Sequence, residues 1–355
     1  MAKTELHILG AGPAGLSAAI VLARAGRTVH IHERYDTVGK RFRGDLQGLD
    51  NWSTKENVLD IFQSFGLTTH FDKTPFCNVT LTNGRHTFTG NSDQPLFYLV
   101  KRGPFPDSID TALYHQAKES GVNFHFRSRY PEESSDIIAT GPIRESTIAA
   151  DKGIVFKTDL PNMAIGIFND DLAYLGYSYL LVAQGYGCLC TVVFKDLHRL
   201  NECFERTLEW AQNKYSIDIS NGRPVGGVGS FSLDQPSIKG TSLLAGEAAG
   251  LQDMLWGFGI RTAITSGYLA AQSILHKQDY SELLTKNIYP SLKASVVNRF
   301  LWEKCKSGPY TLLPYLMKFP VSLRTQFRHL YRFSPLHRML FPFAKNYMNK
   351  EYPSA

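Results

Sequence analysis

Apolar positions along this chain keep two periods, and they switch between them early. Residues 4–10 read as a buried strand around Leu6, Ile8 and Leu9, and residues 13–25 repeat small and aliphatic side chains at helical spacing. Residues 27–32 are a second buried strand, closed by Glu33. The pattern predicts a helix over 54–65 stopped by Gly66, short strands within 76–102 turning at Asn83-Gly84, and a helix over 107–120 stopped by Gly121. Short strands follow at 122–126 and 136–139. Residues 153–195, rich in β-branched and aromatic side chains, predict an antiparallel sheet. A helix over 197–215, a strand at 243–246 and a long helix over 257–277 come next. Gly226-Gly227-Val228-Gly229 follows Pro224 and reads as a turn between strands. Beyond Leu283 the pattern is helical pieces separated by prolines 290, 309, 314, 320, 335 and 342.

The first strand, helix and second strand enclose Gly10-Ala11-Gly12-Pro13-Ala14-Gly15, with Glu33 at the end of the second strand. In this arrangement Gly10 allows a tight turn, Gly12 lets backbone approach a pyrophosphate, and Gly15 lets helix and strand pack closely. The helix start offers unpaired N–H groups to phosphate, and Glu33 can accept from a ribose diol. Strand, glycines, helix, strand and acid in sequence point to a dinucleotide site. A second constellation lies far downstream. Gly246-Glu247 follows a strand, and Trp256-Gly257-Phe258-Gly259-Ile260 stands at the mouth of the long helix. An acid there can hold ribityl hydroxyls, and the helix start can aim N–H groups at a flavin edge. A nicotinamide dinucleotide needs no such second contact. FAD, being longer, does.

These motifs resemble the geranylgeranyl reductase family, within the para-hydroxybenzoate-hydroxylase-like group of FAD enzymes, over roughly residues 4–275. The resemblance implies an α/β fold: a Rossmann-like FAD-binding domain with an inserted antiparallel β-sheet substrate domain and a helical C-terminal cap. The implied boundaries are 1–75, 98–150 and 240–278 for the FAD domain, 76–97 and 151–239 for the sheet, and 279–355 for the cap. It places Gly10, Gly12, Pro13, Ala14, Gly15, Glu33 and Arg34 at the cofactor, with Arg43 from the 39–44 loop and Arg102 from the 98–102 segment. Thr140 and Gly141, then Gly246, Glu247, Gly257, Gly259 and Ile260, complete the cofactor set. Tyr177 and Tyr179, with Tyr174 nearby, and Trp256 are substrate-side candidates, against the commoner outcome of core aromatics.

The sequence departs from that family in four places. Glu247 replaces an aspartate, Gly44 stands about where a cysteine is usual, and the aromatic strand lacks its Phe-Pro. Only about nine residues separate Phe126 from Asp136, where relatives usually insert a small β-meander. The implied activity is hydride transfer through flavin N5 to a hydrophobic isoprenoid- or lipid-like substrate. The same group holds NAD(P)H- and O2-dependent monooxygenases and non-redox, lycopene-cyclase-like enzymes as alternatives. No second nucleotide motif is recognisable, so the electron donor is either NADPH or a ferredoxin-like protein.

Charge adds one feature. The net +6 is uneven: from Lys286 onward twelve Lys/Arg face two Glu, giving +10 there and −4 elsewhere. Leu323, Phe327, Leu330 and Tyr331 share one side of a predicted helix over 321–332, with Arg324, Arg328 and Arg332 on another. That helix suits an anionic membrane surface, an acidic electron-donor protein, or plain packing on the body with solvated arginines. No nucleic-acid motif accompanies the charge. Five cysteines without metal-ligand spacing, no secretory leader and no long apolar run set the expectation of a cytoplasmic protein, with or without peripheral membrane contact, and no metal.

Overall fold

A computed structural model describes residues 5–143, 147–232, 236–304 and 322–352. Cys305 and prolines 309, 314 and 320 lie outside the described residues. The first layer is a six-stranded sheet in the order β15-β16-β9-β1-β2-β8. Its members are β1 (Glu5–Leu9), β2 (Thr28–Glu33), β8 (Asn123–Phe126), β9 (Ile137–Ile138), β15 (Ile238–Lys239) and β16 (Ser242–Leu244). All pairs are parallel except β15 with β16. Helix α1 (Pro13–Arg24) connects β1 to β2 and packs along α5 (Ile260–His276). Small residues make that crossing close: the Ser17 hydroxyl donates to the Ile264 carbonyl at 2.9 Å. Helices α2 (Val58–Ser64) and α3 (Ile109–Glu119) add to the same domain. Helix α2 begins four residues later than the apolar pattern suggests, because the Asn57 side chain caps it by accepting from Leu59 N.

The second layer is a seven-stranded sheet, β14-β10-β13-β12-β11-β5-β6. It is built from β5 (Asn78–Thr82), β6 (Thr87–Asn91), β10 (Thr147–Lys157), β11 (Met163–Ile167), β12 (Tyr177–Ala183), β13 (Tyr186–Val193) and β14 (Arg223–Ser230). The glycine run 226–229 is therefore not a turn. It is paired backbone to backbone with β10, and a Cβ on Gly226 would stand 2.6 Å from the Asp151 carbonyl oxygen. Strand alternation puts Ser178, Leu180 and Val182 of β12 on the outer face, against α4 (Leu200–Tyr215). Tyr177, Tyr179 and Leu181 point the other way, into the molecule. A three-stranded sheet of β3 (Leu46–Asp50), β7 (Phe97–Lys101) and β4 (Lys73–Phe76) bridges the two layers. The sequence pattern did not predict β3.

Helices α6 (Tyr280–Asn287), α7 (Tyr289–Lys304), α8 (Leu323–Leu330) and α9 (Pro335–Glu351) form the cap. Pro342 does not break α9 as expected; it sits within the helix on its exposed side. Helix α8 packs Leu323, Phe327, Leu330 and Tyr331 on the body. Arg324 is not solvated. It is 6% exposed and donates to the carbonyls of Asn51, Thr54, Lys55 and Glu56 and to the Gln94 side chain.

One face of the parallel sheet is covered by a stack of rings. His7, His30, His32 and His125, from three adjacent strands, stack with Tyr130 at centroid spacings of 4.1–5.3 Å. Burial, reinforced by the other three histidines, lowers the His32 pKa to about 4. Its unfolded value is near 6.5. The neutral ring therefore keeps its full stability contribution above pH about 6.5 and loses it as pH falls toward 4. The contribution is lost progressively across that window. Urea midpoints measured between pH 7.5 and 4 should drop in the natural chain and drop less in His32→Gln; equal slopes would refute the assignment.

Candidate active site and cofactor cradle

Strand β1 carries Gly10 to the end of the parallel sheet. Gly10 takes φ +94°, and a Cβ on it would stand 2.4 Å from the Ala139 carbonyl oxygen. Beside it Gly12, the N-cap of α1, has nothing within 4 Å of where its Cβ would be. No side chain caps α1 and no acid lies in its first turn. The start of α5 at Gly259 is uncapped in the same way. Both helix starts line one cavity, so two sets of orphan N–H groups and two positive dipole ends converge on it.

The cavity has a volume of about 390 Å³ and two unlike ends. Gly10, Gly12, Pro13, Ala14, Glu33 and Arg34 line the polar end, together with Thr140, Gly141, Gly246 and Glu247. Gly15 does not line it; its Cβ would meet the Gly10 carbonyl oxygen at 2.0 Å, so it serves the packing beneath. The Glu33 carboxylate accepts from Ala11 N at 2.9 Å and Tyr35 N at 3.0 Å, which fixes it at the rim. Burial raises the Glu247 pKa, with Arg41 opposing. Glu247 accepts from Arg41 at 3.2 Å and from Ser230 N at 3.2 Å.

The two arginines singled out by the motifs divide. Arg102 lines the cavity, but Asp110 takes its Nε at 2.8 Å and an Nη2 hydrogen at 2.9 Å, and Gln47 takes Nη1 at 2.8 Å. Two of its five N–H donors remain for a ligand. Arg43 is exposed and does not line the cavity. Its backbone N–H is held by Asp45, and Arg41, two residues earlier, is the guanidinium that reaches inward, with Nη2 on the Val228 carbonyl at 2.9 Å. A loop bends too irregularly for spacing to choose between the two.

The far end is apolar, walled by Trp52, Leu81, Leu96, Phe97, Phe168 and Phe327. Tyr177, Tyr179 and Trp256 line it as well, while Tyr174 sits outside under Arg199. The Tyr177 hydroxyl donates to the Trp256 carbonyl, tying the substrate-side sheet to the turn before α5. Asp253 shapes that turn by accepting from Leu255 N, Trp256 N and the Tyr331 hydroxyl. Burial pushes the Asp253 pKa to about 6.

Asp151 of β10 stands between the two ends and was not foreseen. Burial pushes its pKa up to about 6 despite Arg41, with Asp45 and Glu247 adding to the rise. The Cys190 thiol, itself pushed well up by burial, lies 3.8 Å from the Asp151 carboxylate. The one signal in the sequence was an acid just before the predicted sheet that starts at residue 153. Among the described residues no group of three His, Cys, Asp or Glu side chains is arranged to hold a metal ion.

The cradle fits FAD: a side-chain-free approach at Gly12, two uncapped helix starts, and carboxylates at Glu33 and Glu247. Residues 3–140 match the model of the FAD binding domain. The whole fold is similar to that of a geranylgeranyl bacteriochlorophyll reductase-like protein from Thermoplasma acidophilum, with TM-score 0.71 and 18% identity over 98% of this chain and 96% of that one. A flavin-dependent brominase matches with TM-score 0.66 and 16% identity over 99% of both chains. In sequence, 43 residues are 58% identical to hydroxysqualene dehydroxylase of Rhodopseudomonas palustris, covering 12% of this chain and 10% of that protein.

Proposed function

We propose that this chain, whose residues 3–140 match the FAD binding domain, is an FAD-dependent oxidoreductase that reduces a hydrophobic, isoprenoid- or lipid-like substrate. The observation that carries the reading is the cavity itself. One void joins a phosphate- and ribityl-binding end to a wall of aromatic and aliphatic side chains. A substrate there is selected by apolar area, and water is kept from the reacting carbon. The similarity in fold to a geranylgeranyl bacteriochlorophyll reductase-like protein supports the same substrate class.

Bound FAD supplies a centre that can pass a hydride from N5. Gly12 and the α1 start would hold its pyrophosphate, Glu33 its ribose, Glu247 its ribityl chain, and the α5 start its pyrimidine edge. Asp151 supplies the proton. With a pKa of about 6 its carboxyl is partly protonated near neutrality, and it faces the void.

The test begins with an anaerobic spectrum before and after NADPH, then addition of polyprenyl acceptors to the reduced protein. Reoxidation by such an acceptor is the expected result. It should slow about 100-fold in Asp151→Asn with flavin content unchanged. The natural protein should lose rate as pH rises through about 6, since the protonated acid is the working form, and Asp151→Asn should lose that limb. If no polyprenyl or lipid compound reoxidises the flavin, and NADPH oxidation instead requires oxygen, the chain is a monooxygenase. Bleaching with dithionite but not with NADPH alone would point to a ferredoxin-like donor or to a hydroxylase that takes electrons from NADPH only with substrate bound. A product of unchanged mass would make the reaction non-redox.

A further inference from the structure

The apolar face expected to meet a membrane, that of α8, is spent on the body of the protein, with Leu323 and Tyr331 buried and Arg324 locked onto the 51–56 loop. The next helix presents the opposite picture. Among the described residues the three most exposed large apolar side chains all belong to α9: Leu336 at 56%, Met339 at 62% and Phe343 at 66%. They fall at i, i+3 and i+7, within an arc of about 60° at 100° per residue. The inner face of the same helix buries Ala344 and Met348 against Val296 and Val297 of α7. Helix α9 is therefore a held, structured element with one apolar stripe left uncovered.

The exposed charges in α9 and just before it have one sign. They include Arg332, Arg338 and Lys350, and none of the exposed residues from 332 to 352 is acidic. Glu351, the single acid of α9, is paired with Lys195 at 2.5 Å. An acidic counterpart with an apolar interior is the complement of such a face. We propose that α9 docks this chain on an anionic lipid bilayer, lying flat with Leu336, Met339 and Phe343 among the acyl chains and the basic residues at the headgroups. No helix of the described residues is long and apolar enough to cross a membrane, so attachment is in the plane of the interface. The face is distinct from the cavity, and the inference stands whatever the substrate proves to be.

Co-sedimentation of the full-length holoprotein with vesicles tests it. Vesicles of phosphatidylcholine with 30% phosphatidylglycerol should bind the protein, and pure phosphatidylcholine should bind it at least tenfold less. The triple variant L336S/M339S/F343S should lose at least tenfold in partitioning to the anionic vesicles while keeping its flavin absorbance and thermal midpoint. The variant R332Q/R338Q/K350Q should reproduce the behaviour of the natural protein in half-molar salt. Unchanged binding by the triple serine variant overturns the proposal. So does a natural protein that ignores anionic vesicles but forms a dimer that the triple variant abolishes, because the stripe then belongs to a second copy.

Discussion

Replacing Gly12 by valine should give a folded, colourless protein. The residue sits at φ −83° and ψ 179°, a backbone region in which a β-branched side chain is comfortable, and its Cβ would meet nothing of the protein within 4 Å. The cost to the fold is confined to a poorer helix start, about 1 kcal/mol or less. The two methyl groups project instead into the space through which the pyrophosphate must approach. Affinity for FAD should fall by about 100-fold or more, which corresponds to about 2.7 kcal/mol of overlap. Absorbance near the flavin band, read against circular dichroism, separates the two effects. A yellow Gly12→Val protein would place the cofactor elsewhere.

The second large effect is expected far from the cofactor. Arg299 of α7 is 1% exposed and donates to Glu303 at 2.5 Å and to the Leu175 carbonyl, with its guanidinium 3.8 Å from the Phe194 ring centroid. Glu303 also accepts from the hydroxyls of Tyr347 and Tyr352, so the pair fastens α9 to α7 and both to the sheet. Arg299→Met leaves a buried carboxylate with two phenols and no cation. It should cost about 3–5 kcal/mol, read by urea unfolding, and Arg299→Met/Glu303→Met should recover most of that loss. A single variant within 1 kcal/mol of the natural protein would mean that the carboxylate finds water.

The nucleotide half of this molecule was readable because each part is specified locally. Residues 5–33 need two strands, one uncapped helix between them and one acid in order, and glycine at 10, 12 and 15 leaves few other readings. Glu247 and the 257–260 turn were legible for the same reason. What failed depended on distant partners. The glycine run in β14 looks like a turn until β10 lies beside it. Arg324 looks like a solvated charge until the carbonyls of residues 51–56 surround it. Asp151 falls just before the sheet predicted from residue 153, beside Lys152, until β10 takes it in and burial and three neighbouring charges move its pKa. Arg41 and Arg43 differ only in which way an irregular loop turns them.

The parallel sheet has a consequence for how the chain is made. Strand β9 lies between β1 and β16, so residues near 8 and near 244 end up two strands apart. The Ser17 hydroxyl reaches a carbonyl 247 positions later. During synthesis the first 140 residues can form the glycine turn but not the wall opposite it, because α5 has yet to be translated. Cofactor capture must wait until residues 260–276 have been made, and closure of the site is long-range rather than the work of the N-terminal unit acting alone.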